Sequence, residues 1–268
     1  MVGSTGMQEP VVGSFVQFIA DNADHNAATL DGHGTFHGMG IMAGFSPSFK
    51  VNRAVPRNSV SKKDIQAAAK VSIKPWTQEK KQPPLLYGKH GTTPIHTSWL
   101  ACDLLWKISW PLRQDRPSWS GWMQGVAKGS HPGKSSFQFL PMIDLDPSDM
   151  TCVNSTLHFI CDQAAVHEQH PIVTFDQPLW WKATMIVESE PPQSRLKKMI
   201  LRLGTFHAEM SFLGCIGHLM SGSGLEDVLS VVYAPNTVGH MLSGKAVSRA
   251  FRGHGLVDTA LSTMLLAE

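Results

Sequence analysis

Phe15-Val-Gln-Phe-Ile-Ala-Asp-Asn-Ala-Asp-His-Asn26 is an apolar run that ends in acid. Val16, Phe18 and Ile19 suit a strand, and no Lys or Arg stands among Asp21 and Asp24 to neutralise them. Pro171-Ile-Val-Thr-Phe-Asp-Gln-Pro178 repeats the design far downstream and delivers Asp176. Carboxylates at the ends of hydrophobic strands present hard oxygen ligands to a divalent cation. Asp21, Asp24 and Asp176 are therefore the candidate metal ligands, with Mg²⁺ or Mn²⁺ as the ion. Asp21 and Asp24 are three apart and point to different faces of an extended strand, so Asp21, nearer the apolar run, is favoured. The bland alternative is that each Asp closes a turn or caps a helix.

Outward from those strands, Asn22 to Gly34 is dense in Asn, Asp and Gly, and Thr35 to Phe45 reads as a second strand. Residues 15 to 45 are thus expected to form a hairpin, with Gly38, Gly40 and Gly44 marking a bulge or a close backbone approach. Phe137 to Leu145 predicts a third strand. Asp146-Pro147 then reads as a helix N-cap, and Leu157, Ile160, Cys161, Ala164 and Ala165 share one helical face. That helix must stop before Pro171, where the Asp176 strand begins. Further helices are expected over Leu179 to Glu188, Phe206 to Met220, Leu225 to Tyr233 and from Gly244 onward. Residues 46 to 136 are harder to read; a short helix around Trp99 to Trp106 stands in a tryptophan-rich stretch that suits packing better than base stacking.

Composition narrows the class. With 268 residues, 42% hydrophobic and 16% charged, the chain can bury a substantial core and is not of disordered type. A net charge of +2 does not decide for or against nucleic acid. Four scattered cysteines without a Cys-x-x-Cys pair point to buried thiols in a reducing compartment. No apolar run is long enough for a membrane span, and Met1 to Pro10 carries no signal core, so a soluble intracellular protein is expected.

Four blocks carry a resemblance: Ala20-Asp-Asn-Ala-Asp-His-Asn26, Gly34-Thr-Phe-His-Gly-Met-Gly40, Val173-Thr-Phe-Asp-Gln-Pro-Leu-Trp-Trp-Lys-Ala183 and Leu203-Gly-Thr-Phe-His-Ala-Glu-Met-Ser-Phe-Leu-Gly-Cys-Ile-Gly217. With Gly222-Ser-Gly-Leu-Glu226, they resemble a group of uncharacterised, transposable-element-derived eukaryotic proteins, similar to DDE-type transposases with a ribonuclease H-like core. The resemblance implies an α/β fold: a ribonuclease H-like mixed sheet with flanking helices and an incomplete C-terminal helical insertion. It implies a core over 1–202, with the tryptophan-rich stretch at about 46–136 inserted in it, and a helical segment over 203–268. Asp21 matches the first-strand acid and Asp176 the second, at a site for two-metal DNA strand cleavage and transfer. DNA is the implied partner and the nucleus the implied location. His207 and Glu209 open the helical segment as neighbours of the site or as packing residues. Glu226 and Asp227 suit a helix start, and no acid after the insertion completes a triad. The chain is therefore expected to be truncated and inactive as it stands.

Two rivals stay open beside that reading. One is a non-catalytic interaction module whose acids serve turns. The other is a small metal-dependent hydrolase built from Asp21, Asp24, His25, His33 and His37.

Overall fold

The computed structural model describes residues 15–25, 36–46, 63, 71–77, 97–109, 121, 124 and 134–267. It resolves into two compact units, one of Met1–Leu86 with Pro132–Gly204 and one of Tyr87–His131 with Thr205–Glu268.

The first unit is a mixed α/β domain. Its strands are β1 (Phe15–His25), β2 (Phe36–Ser46), β3 (Ser136–Phe139), β4 (Ile172–Phe175) and β5 (Ile200–Leu203), in the order β3-β2-β1-β4-β5. β2 runs antiparallel to both β1 and β3, whereas β4 is parallel to β1 and to β5. The β1–β2 ladder pairs one residue with one residue from Phe15↔Ser46 to His25↔Phe36. The expected bulge is therefore not there. Close approach is seen instead: a Cβ on Gly40 would stand 3.1 Å from Ala23 Cβ, and one on Gly44 would stand 3.2 Å from the Phe137 ring. β3 ends at Phe139, sooner than expected, because Pro141 has no N–H for the ladder. Pairing resumes once, where Met39 and Ile143 exchange backbone bonds of 3.0 Å.

Alternation along the strands sends Val16, Phe18 and Ala20 of β1, Met39, Ile41, Ala43 and Phe45 of β2, and Val173 and Phe175 of β4 to one buried face. Onto it pack α2 (Met150–Val166) and α3 (Gln177–Ser189), through Val153, Leu157, Ile160, Leu179, Ala183 and Ile186. Each fully buried Leu, Ile or Phe contributes about 1.5–3 kcal/mol. Asn154, Ser155 and Thr156 are buried polar residues on α2, and a polar group in that setting needs a partner. The extended segment 71–77 supplies several: Lys74 N donates to Ser155 Oγ at 2.8 Å, Asn154 Nδ2 donates to Lys74 O at 2.9 Å, and Trp76 N donates to Thr151 Oγ1 at 3.3 Å. Val71 and Trp76 meanwhile pack against the core, so this tryptophan serves packing. Trp110, Trp119 and Trp122 lie outside the described residues.

Helix α2 starts later than the sequence suggests. Asp149 is its N-cap, accepting from Thr151 N at 2.7 Å, while Asp146 closes the preceding turn by accepting from Ser148 N at 2.8 Å. β5 is unanticipated, a four-residue edge strand following the short 3-10 turn Arg195–Lys198.

The second unit is helical: α1 (Thr97–Ile108), α4 (Thr205–Leu219), α5 (Leu225–Ser230), α6 (Pro235–Leu242) and α7 (Val247–Ala267). Leu213, Leu225, Leu229, Val238, Met241 and Ala250 form its core. The helix expected over Leu225 to Tyr233 ends at Ser230 as α5, and Pro235 opens α6, a helix the sequence reading did not contain. The tryptophan-bearing α1 lies against α7, with Lys107 Nζ 2.6 Å from Asp258 Oδ2.

Candidate functional site

The parallel pairing Phe18↔Val173 and Ile19↔Thr174 sets β1 beside β4, and two residues further along each strand come Asp21 and Asp176. Ile19 and Thr174 leave the sheet on the face opposite the helices, and continued alternation sends Asp21 the same way. Asp21 is exposed, and its Oδ1 accepts from Asn22 N at 2.8 Å. Asp176 is half-buried. It is the N-cap of α3, its Oδ1 accepts from Leu179 N at 3.0 Å, and Pro178 preorganises the first turn behind it. One oxygen of each carboxylate is thus engaged locally.

Asp24 does not join them. An unbroken ladder turns it to the other face of β1, where its Oδ1 lies 2.8 Å from His37 Nδ1, its register partner. Of the five Asp/His hydrolase residues, only Asp24 and His37 are seen to meet. His33 and the side chain of His25 lie outside what is described. Glu226 and Asp227, in the first turn of α5, and His207 and Glu209, on α4, belong to the second unit.

One acid-rich turn escaped the sequence reading as a functional candidate. Asp144, Asp146 and Asp149 punctuate the connection from β3 to α2, a spacing visible in Asp144-Leu-Asp-Pro-Ser-Asp149. The Asp146 carboxyl is held below the usual range by the Ser148 backbone N–H and then by the Ser148 hydroxyl, with Lys182 and His37 adding attraction. Lys182 Nζ also donates to Ser148 O at 2.5 Å, tying α3 to this turn.

As donors, Asp21 and Asp176 are of the right type for Mg²⁺ or Mn²⁺, since Mg²⁺ is commonly held by one or two carboxylates together with water and substrate phosphates. Among the described residues, no group of three or more His, Cys, Asp or Glu side chains converges to hold a metal. Nor are the thiols nucleophile candidates in the core: burial pushes Cys152 up to about 12 and Cys161 up to about 11. Cys102 and Cys215 are exposed, against the expectation of buried thiols. A cleft of about 310 Å³ opens at the other end of β4, between Cys161, Glu168, His170, Arg195 and Lys198. It mixes acid with base and does not include the paired aspartates.

Residues 118–268, more than half of the chain, match the family model described as Domain of unknown function (DUF8702). The chain belongs to the DUF8702 family. No curated protein and no solved structure matches it. The DUF8702 segment takes in β3, α2, β4, α3, β5 and the four helices from α4 to α7, and so includes Asp176, whereas Asp21 lies before it. No helix among the described residues is long and apolar enough to cross a membrane.

Proposed function

We propose that the first unit is a ribonuclease H-like core of transposase descent that holds a divalent cation between Asp21 and Asp176 and associates with DNA in the nucleus. What carries the reading is the adjacency of β1 and β4, parallel central strands, with Asp21 within the first and Asp176 directly after the second. The order of elements supports it as well: a hairpin, a third strand, a helix, the fourth strand, then a helix and a fifth strand. A cation at this point would supply Lewis-acid stabilisation of phosphodiester oxygens, the chemistry of strand cleavage and joining. With two carboxylates and no third among the described residues, the site on this reading is a remnant that binds an ion without cutting.

Thermal unfolding with and without Mn²⁺ tests this. Asn caps a helix as well as Asp does but carries no charge, so Asp176→Asn keeps α3 intact while removing a ligand. The unaltered protein should gain thermal stability with Mn²⁺, by mass action on the folded state, and both Asp21→Asn and Asp176→Asn should lose that gain. An unaltered protein indifferent to every divalent ion sinks the metal site.

A second reading, the interaction module, is favoured by the face of the sheet opposite the helices, which Asp21 shares. There Phe137 and Phe139 are 60% and 83% exposed, although both are large apolar residues on a folded strand. On that reading Asp21 and Asp176 serve only the local hydrogen bonds they make, and no ion alters the melting temperature.

A further inference from the structure

His167, the C-cap residue of α2, is only 8% exposed, yet among the described residues neither of its ring nitrogens has a hydrogen-bond partner. Its ring meets Phe45 of β2 edge-on, with centroids 5.7 Å apart. Directly after it, Glu168 takes a left-handed φ of 52° and turns the chain, and Gln169 Oε1 accepts from Val16 N of β1 at 3.0 Å. A buried imidazole, a tight turn and a side-chain clasp onto the first strand therefore follow one another without a gap.

We propose that His167 is an acid-responsive latch: protonation of its ring releases the end of α2 from the sheet and opens the Gln169–Val16 clasp. A neutral imidazole tolerates burial against an aromatic ring, whereas an imidazolium there loses solvation and, among the described residues, finds no acceptor. Among the described residues, no opposing charge raises its affinity for a proton. β1 from Phe15 to Ala20 and β2 from Met39 to Ser46 contain no titratable residue. Among the described residues, the charged groups toward this end of the fold are Asp162, Glu168, His170, Arg195, Lys198 and Lys134. None of them shifts His167, and burial alone lowers its affinity for a proton. The sign follows from that direction. Below the ordinary histidine value of about 6.5, the open form binds a proton that the closed form refuses. Closure is therefore fully favoured above that pH and is lost as the pH falls.

Nuclear magnetic resonance on the whole chain tests the latch. The His167 ring should titrate below the ordinary histidine value of about 6.5. The protection of the Val16 amide against hydrogen exchange, corrected for intrinsic rates, should fall roughly tenfold per pH unit below about 6.5, as uptake of one proton requires. His167→Phe, which keeps a ring against Phe45, should remove that pH dependence. Should this variant fail to fold, ring titration in the unaltered protein still decides. A ring that titrates at or above the ordinary histidine value overturns the proposal, as does acid loss of Val16 protection that persists unchanged in His167→Phe.

Discussion

Single residues in this protein show where local chemistry and fold agree or conflict. Glu168 conflicts: it occupies the position after the α2 C-cap where glycine is usual, closed by Glu168 N donating to Ala165 O and Gln169 N to Ala164 O. A left-handed conformation costs a side-chain-bearing residue roughly 1–2 kcal/mol. Glu168→Gly should therefore stabilise the first unit by about 1 kcal/mol in urea unfolding, less than the full strain because glycine also loosens the unfolded chain. Asp176 agrees: it ends a strand and starts a helix at once. Asp176→Ala should cost about 1 kcal/mol by the same measurement, and Asp176→Asn only a few tenths. If Ala and Asn prove equally harmful, the residue is held for its charge and not for its cap.

At the scale of elements, close approach sets what the second unit tolerates. Gly217 of α4 lies where a Cβ would strike the Leu242 carbonyl at the end of α6, and Gly244, at φ 75°, would likewise meet the Met210 carbonyl. These are backbone atoms with no rotamer to escape into. Gly217→Ala should destabilise the helical unit by about 1–3 kcal/mol, read as a lower denaturation midpoint. Gly239, with nothing near it, is the control; changing it to Ala should be neutral or mildly stabilising because it sits within α6. The two substitutions are the same in sequence terms. Only the packing of α4 against α6 separates them.

At the scale of the molecule, the described residues form two cores, one between the sheet and α2 with α3, the other among α4 to α7. Leu157 is fully buried in the first and Met241 in the second. Each changed to Ala should cost about 2–5 kcal/mol, and calorimetry should show each variant lowering a different unfolding transition. A single transition moved equally by both would mean that the units unfold as one. Much of this plan was legible in the chain. The hairpin, the α2 helix and β4 follow from alternation, helical spacing and the stop at Pro171, because those rules act over a few residues. β5 was not legible, since Ile200 to Leu203 is too short to show a period and gains its identity only by pairing with β4. The sequence grouped Asp24 and His37 only within a five-residue Asp/His alternative; that these two pair needs the register of the hairpin, which no local pattern fixes. The residues alone determined that apolar strands lead into Asp21 and Asp176. That β1 and β4 stand side by side was decided by tertiary structure, because neighbouring strands are chosen by the shared burial of Phe18 and Val173 beneath α2 and α3, a long-range energy no local pattern contains.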